Sequence, residues 1–549
     1  MNLNAEQTAV VESTAKQILC IAGAGSGKSR VLCERIKRLV SEGVQPSKIL
    51  AISYTNAASK VLQERIGDVK LGCNSTLHGF LLRLLGRHHA LVNLPERLSV
   101  IDDEQREPMC ESIMADMGVK SSLKKVMPFV NDSPLLMTNT SKEGLVAREY
   151  HRRLRQAGLL DFNTILFYGL ELVSRLDAGT FGYTHCFFDE WQDAADIDAA
   201  ILVAMPCENR FAVGDDWQSV FGFRGANVRN ILKLSQSPDW TTMTLETNFR
   251  CPARICEAAQ QLMTFNADRF PKKTLAANPG GEIRVYRCPT PAAEMSRVAM
   301  ELQRYTHEQL AESAILCRTN RLVEEFSTFL AGVGIPVKTR KQVAMPGDWR
   351  KAKLFLTVLA NPWCDVAVER YVALRDGEPA AAKLRQQAAM EMVPLGSIAF
   401  MSMPDSLIGI PPLVAVMAEG LSPESRSRIE AAAAELAAGW TVPDLILALN
   451  AGEELAREEG HGVTVCTGHH FKGREANVVF IVGFEEGLFP MLRKDSDLQE
   501  ELRLAYVCVT RARESLVISY CQSRPKPFGQ GMVECAPSRF IGMMGLTAE

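Results

Sequence analysis

The run Ala22-Gly23-Ala24-Gly25-Ser26-Gly27-Lys28-Ser29 combines a lysine, hydroxyls and three glycines, which is the chemistry needed to hold a polyphosphate. Glycines let the backbone curl until its N–H groups face phosphate oxygens. An apolar run precedes this loop and a helix-like stretch containing Arg30 follows it, so a helix N-terminus adds favourable dipole charge. Lys28 suits the β- and γ-phosphates, and Ser29 suits a Mg²⁺ ion carried with them. Ala22 stands where such loops usually begin with glycine. A glycine-rich turn with a chance lysine is the plain alternative, and the strand-loop-helix context speaks against it. The loop alone does not name a reaction, because kinases, GTPases and motors share it.

A second constellation narrows the chemistry. In His185-Cys186-Phe187-Phe188-Asp189-Glu190-Trp191-Gln192-Asp193, two carboxylates follow an apolar run. Asp189 fits a Mg²⁺ ligand, direct or through water. Glu190 fits the group that orients and deprotonates an attacking water. A lone Asp-Glu pair is usually a solvated turn; a preceding strand in a phosphate-loop protein reverses that reading. Further on, Val213-Gly214-Asp215-Asp216-Trp217-Gln218-Ser219-Val220-Phe221-Gly222-Phe223-Arg224-Gly225-Ala226 joins a strand end to two phenylalanines. Gln218 is suited to sense a γ-phosphate. Phe221 and Phe223 offer ring faces to bases, with packing in the core as the alternative for each.

These groups need a scaffold that holds loops at strand ends. Short β-branched runs at residues 18–22, 49–53, 186–188, 211–213 and 243–245 predict one parallel sheet. Runs at 314–316, 463–466, 478–482 and 516–519 predict a second. The fold class is therefore α/β, with functional loops at the carboxyl ends of the strands. Two helix-like stretches interrupt the pattern. The first, residues 84–158, carries Lys124, Lys125, Arg148, Arg152, Arg153 and Arg155; the second, 365–459, includes an alanine-rich run at 431–438. The expected division is a first sheet domain of 1–83 and 159–245 with a helical insertion at 84–158, and a second of 246–364 and 460–549 with a short insertion at 365–459.

The chain has 549 residues, room for about three to five domains. Its net charge of -3 means that any nucleic-acid binding must come from a local groove rather than a basic surface overall. The 15 cysteines form no C-x-x-C pair and read as free thiols in a reducing, cytoplasmic setting. The polar start does not read as a secretory signal, and no apolar run reaches the ~18 residues of a membrane span. His461, Cys466, His469 and His470 cluster in sequence, but without zinc-type spacing.

In order and spelling, these motifs resemble the UvrD/Rep/PcrA family of superfamily 1 helicases. Leu3-Asn4-x-x-Gln7 resembles its adenine-reading motif, Ile52-Ser53-Tyr54-Thr55-Asn56 and Thr76-Leu77-His78-Gly79 its early DNA motifs, and Leu245-Glu246-Thr247-Asn248-Phe249-Arg250 its fourth. Thr467-Gly468-His469-His470-Phe471-Lys472-Gly473-Arg474-Glu475 resembles its fifth, and Glu500-Glu501-x-Arg503-Leu504-x-Tyr506-Val507-x-Val509-Thr510-Arg511-Ala512 its sixth. The resemblance implies two RecA-like motor domains closing on ATP. It implies that Gln7 bonds adenine, Phe249 stacks on it where the family more often has tyrosine, Glu475 touches the ribose, and Arg250 and Arg511 act as arginine fingers. It implies DNA contacts from Tyr54, Asn56, His78, Phe223 and His469. Departures are Trp191 for phenylalanine, His470, Phe471 and Arg474 in the fifth motif, and a second insertion shorter than in full-length relatives.

The implied activity is a DNA-stimulated ATPase that moves 3′ to 5′ on single strands and unwinds duplex junctions, as a monomer or weak dimer. A second reading is an ATP-switched DNA-binding subunit that recruits a partner such as a nuclease. A third, a small-molecule kinase, leaves Arg511 unexplained.

Overall fold

The computed structural model describes residues 3–101, 103–131, 139–342, 354, 365–391, 456–492, 497–525 and 531–547. The short apolar runs pair as two parallel sheets. The first has the order Cys73–Thr76, Ile49–Ser53, His185–Phe188, Asn209–Gly214, Gln17–Ala22, Thr241–Leu245. All of its pairings are parallel, so its strands end on one side. The second runs Glu282–Cys288, Ala512–Cys521, Ala476–Ile481, Ser313–Cys317, Val463–Thr467, Val337–Gln342, Ala456–Glu459, with only the last strand antiparallel.

All nine sequence-predicted strands are present. The four strands of these sheets that were not predicted are Cys73–Thr76, Glu282–Cys288, Val337–Gln342 and Ala456–Glu459. Each lies at or next to a sheet edge. Edge positions tolerate charged side chains, so their sequences lack the continuous apolar signature of central strands. Ala456–Glu459 belongs to the second sheet although it falls inside the stretch 365–459 read as an insertion.

The first insertion is helical, with helices Asp103–Asp116, Leu123–Asn131 and Lys142–Ala157 around Cys110, Ile113, Val126, Val146 and Tyr150. Its expected start at residue 84 falls within helix Leu77–His88, whose Leu81 and Leu85 pack into the first sheet's core. From the second insertion, helices Asp365–Asp376 and Glu378–Glu391 bury Val368, Val372 and Ala381 in the same core as the first insertion. The Arg370 guanidinium donates to the Gln105 carbonyl at 3.0 Å. The alanine-rich run 431–438 lies outside the described residues. Among the described residues, no helix is long and apolar enough to cross a membrane. The described cysteines are free thiols, buried except at Cys535.

Candidate nucleotide site and nucleic-acid interface

The phosphate loop joins strand Gln17–Ala22 to helix Lys28–Ser41. Gly25 and Gly27 sit at φ 66° and 87°, a region that glycine enters without steric cost. Space forbids a side chain as well. A Cβ on Gly25 would lie 2.7 Å from the Arg250 Cβ, and one on Gly27 would lie 2.8 Å from the Gln7 amide nitrogen. Gln7 Nε2 donates to the Ser26 carbonyl at 2.9 Å, and its Oε1 accepts from Asn4 N at 3.1 Å. The residue expected to read adenine therefore also braces the loop, keeping one N–H and one lone pair spare. Phe249 N donates to the Gly25 carbonyl at 3.0 Å, and the Phe249 ring is 46% exposed, as a stacking surface must be. Ala24 N donates to the Tyr506 hydroxyl at 3.3 Å, a contact between residues 482 positions apart.

Strand His185–Phe188 delivers the carboxylates. Glu190 has φ 52°, a strained left-handed conformation for a non-glycine residue. Its N–H donates to Asp189 Oδ1 at 2.9 Å, and its carboxylate accepts from Gln192 Nε2 at 2.5 Å. Burial, with the neighbouring Glu190 charge, pushes Asp189 up to about 7. Burial also opposes ionisation of Glu190, but Lys28, Lys472 and Gln192 outweigh it and hold Glu190 below the usual carboxylate range. Glu190 is thus the carboxylate kept ionised and able to take a proton. Asp189 is the buried carboxylate whose desolvation a divalent cation would offset. Together with the Ser29 hydroxyl it supplies the hard oxygen donors that suit a Mg²⁺ arriving with phosphate.

The two sheet domains meet over the loop after strand Asn209–Gly214. Gln218 Nε2 donates to Asp215 Oδ2 at 2.5 Å, and Arg511 Nη2 donates to Gln218 Oε1 at 3.1 Å. Lys28 Nζ lies 3.8 Å from Asp215 Oδ2. Arg503 donates to the Ser219 carbonyl at 2.6 Å, and Glu500 accepts from Gly222 N at 2.8 Å. Asp215 N donates to Oε1 of Gln192, the residue that bonds Glu190, at 2.8 Å, so Lys28, Glu190, Gln218 and Arg511 are part of one polar array. Arg250 stands beside the phosphate loop, but its Nε donates to Glu475 at 2.5 Å, and Arg513 pairs with the same carboxylate. Glu475, the residue expected at a ribose, is flanked by two guanidiniums. Burial opposes its charge, and the two arginines outweigh that and keep it ionised.

The same loop ends in an aromatic row. The Tyr54 and Phe221 rings lie 6.3 Å apart and within 7° of parallel. Phe223 meets Phe221 at 6.0 Å and His469 at 5.7 Å, edge to face. Phe223 is 69% exposed, which removes the core-packing alternative; Phe221 is half-buried within the row. Lys472 sits 4.8 Å from the Phe221 ring centroid and 2.5 Å from Asp193 Oδ2, linking this row to the acidic motif. Asn56 opens the helix that follows Tyr54. His78 stands apart from the row, edge-on to Phe162 at 5.2 Å. Burial pushes both His78 and His469 down to about 4. The first-insertion arginines have partners of their own. Arg152 and Arg153 pair with Glu149, Arg153 also with Asp116, Arg155 donates to the Asn93 carbonyl and Arg148 to that of Asn139.

The family model of the UvrD/REP helicase N-terminal domain matches residues 3–239, and that of the UvrD-like helicase C-terminal domain matches 243–373 and 442–523. The chain belongs to the UvrD/REP helicase family. Relatives include the ATP-dependent DNA helicases PcrA of Staphylococcus epidermidis and Staphylococcus aureus. Each is 28% identical over 98% of this chain and 86% of its own. The unmatched stretch 374–441 falls within the second insertion. The tryptophan departure in the acidic motif of this UvrD/REP chain is absorbed by the core: Trp191 is buried against Phe188 and Trp240.

The residues that sequence reasoning missed are those acting at a distance: Lys272, Gln192, Tyr506 and Lys472. Gln192 was visible as part of the acidic motif, and Lys472 and Tyr506 as part of the later ones. Lys272, in a plain Lys-Lys pair, carried no signal.

Proposed function

We propose that this chain is an ATP-driven motor that moves 3′ to 5′ along single-stranded DNA, with Mg²⁺ entering alongside the nucleotide. One observation carries the reading. A single loop, residues 215–225, joins the Lys28–Glu190–Gln218–Arg511 array at one end to the Phe221–Phe223–His469 row, with Phe223 exposed, at the other. A change at the γ-phosphate then moves the surface that stacks bases, which is the coupling a translocase needs. Lys28 and the loop N–H groups hold phosphate, Glu190 orients and deprotonates water, and Gln218 with Arg511 and Arg250 meets charge developing on the transferred phosphoryl group.

Single-strand-stimulated phosphate release by wild type and by Glu190→Gln tests the reading. The variant is expected to bind ATP but not turn it over. Normal turnover by Glu190→Gln would overturn the assignment. Displacement of strands from 3′-tailed but not 5′-tailed duplexes tests the polarity. The pairing of the first-insertion arginines with protein groups favours a monomer that translocates better than it unwinds, with duplex separation aided by a second copy or a partner such as a nuclease.

A further inference from the structure

Lys272 lies in the chain between helix Ala253–Met263 and strand Leu275–Asn278. Its side chain is fully buried. The ammonium donates to Asp215 Oδ1 at 2.6 Å and to Asp216, and stands 4.6 Å from the centroid of the Trp217 ring. Both carboxylates are fully buried and belong to the first domain. Asp216 also accepts from Phe270 N at 2.6 Å. A second cation faces Asp215 from the phosphate loop: Lys28, 3.8 Å from Asp215 Oδ2, while Arg503 interacts with Asp216. Two ammoniums from different domains thus address one carboxylate in a dry setting, where Coulomb attraction is strong.

We infer that Lys272 is a positioning residue for nucleotide binding: by occupying Asp215 and Asp216 it leaves the Lys28 ammonium free for phosphate. The inference rests on the reading of Lys28 as the phosphate lysine. Removing one partner of a buried ion pair leaves an uncompensated charge. Without Lys272, the nearest cation to Asp215 is Lys28, and the remaining gap is short enough for a rotamer change to close. Lys28 would then be bound to Asp215 and lost to the phosphate loop. Burial works against charge on Lys272, but Asp215 and Asp216 outweigh it and hold the lysine above its ordinary range.

The test is titration of N-methylanthraniloyl-ATP with Mg²⁺ into the full chain without DNA, for Lys272→Met, Asp215→Asn, the double variant and Lys28→Ala. Thermal unfolding of each reports folding. Lys272→Met is expected to weaken binding by about tenfold or more. Asp215→Asn, which removes the competing carboxylate, should recover at least about threefold of that loss in the double variant. Wild-type affinity in Lys272→Met, or a folded double variant as weak as Lys272→Met, would overturn the inference. If Lys272→Met does not fold, Lys272→Gln takes its place: wild-type affinity sinks the inference, and a loss that Asp215→Asn recovers supports it. Unchanged binding by Lys28→Ala would overturn the phosphate-lysine reading itself, a failure distinct from the others.

Discussion

The interdomain cleft and the basic helix Lys142–Ala157 use the same residue types to opposite effect. In the cleft, Lys272, Asp215, Asp216 and Arg511 are buried; Lys272 meets Asp215 and Asp216, 57 and 56 positions away, and Arg511 meets Gln218, 293 positions away. On the helix, Arg152 and Arg153 are half-exposed and paired with Glu149, three and four residues away. A buried charge deprived of its partner costs several kcal/mol, whereas an exposed helix pair contributes about 0.3–0.5 kcal/mol. The difference teaches that the cleft's charges must act as a set. The helix's charges are individually dispensable and are occupied before any DNA arrives.

The largest expected effect lies in the cleft. Arg511 directs its guanidinium to Gln218, Val507 and Arg474 at 3.1, 2.9 and 3.2 Å. Lysine cannot reproduce that fork. Arg511→Lys should lower kcat by on the order of 10³-fold with a smaller change in nucleotide affinity, as for other arginine fingers. A variant with near-normal steady-state turnover would break the contrast at its strongest point.

Next in size is the aromatic row. Phe223→Ala should weaken single-strand binding by roughly 1–3 kcal/mol, with little dependence on base identity, and Phe223→Trp should restore it. Fluorescence anisotropy with homopolymer oligonucleotides would show either outcome. Unchanged affinity in a folded alanine variant would mean that exposure here is not function.

Smaller still is the helix. Arg152→Ala and Arg153→Ala should each change stability by no more than about 0.5 kcal/mol in chemical denaturation. They should also leave single-strand translocation unchanged. A large loss of duplex unwinding with translocation intact would show that DNA takes these arginines from Glu149, and would sharpen the comparison.

The smallest expected effect concerns pH. His469 is pushed down to about 4 by burial, reinforced by the positive charges of Arg318, His470, Lys472 and Arg224. An unfolded histidine titrates near 6.5. The folded ring therefore stays neutral above about 4, and its contribution to stability is lost as pH falls from about 6.5 towards 4. Single-strand affinity should accordingly show no histidine-type rise between pH 8 and about 5.5. A rise that disappears in His469→Asn would show that DNA recharges the ring.

Much of this molecule was legible in its residues. Gly25, Gly27 and Lys28 announced a phosphate loop because few sequences meet both its backbone and its charge demands. The central strands were visible because burial on both faces requires unbroken apolar runs such as those at 18–22 and 49–53. The polar edge strands were not, since their sequences serve solvent as well as the sheet. The sequence by itself determined the local chemistry: which loop has the make-up of a phosphate loop, which carboxylates follow a strand, and where two phenylalanines fall close together. Tertiary structure alone decided which of these groups meet. It put Lys272 on Asp215 and Asp216, turned Glu475 to two arginines, braced the phosphate loop with Gln7, and left His78 outside the aromatic row. The reason is physical. Backbone conformation and burial pattern are set by neighbours in sequence. The partner of a buried charge is set by which chain segments the two sheets bring into the same dry volume, and residues tens to hundreds of positions apart leave no local trace of that meeting.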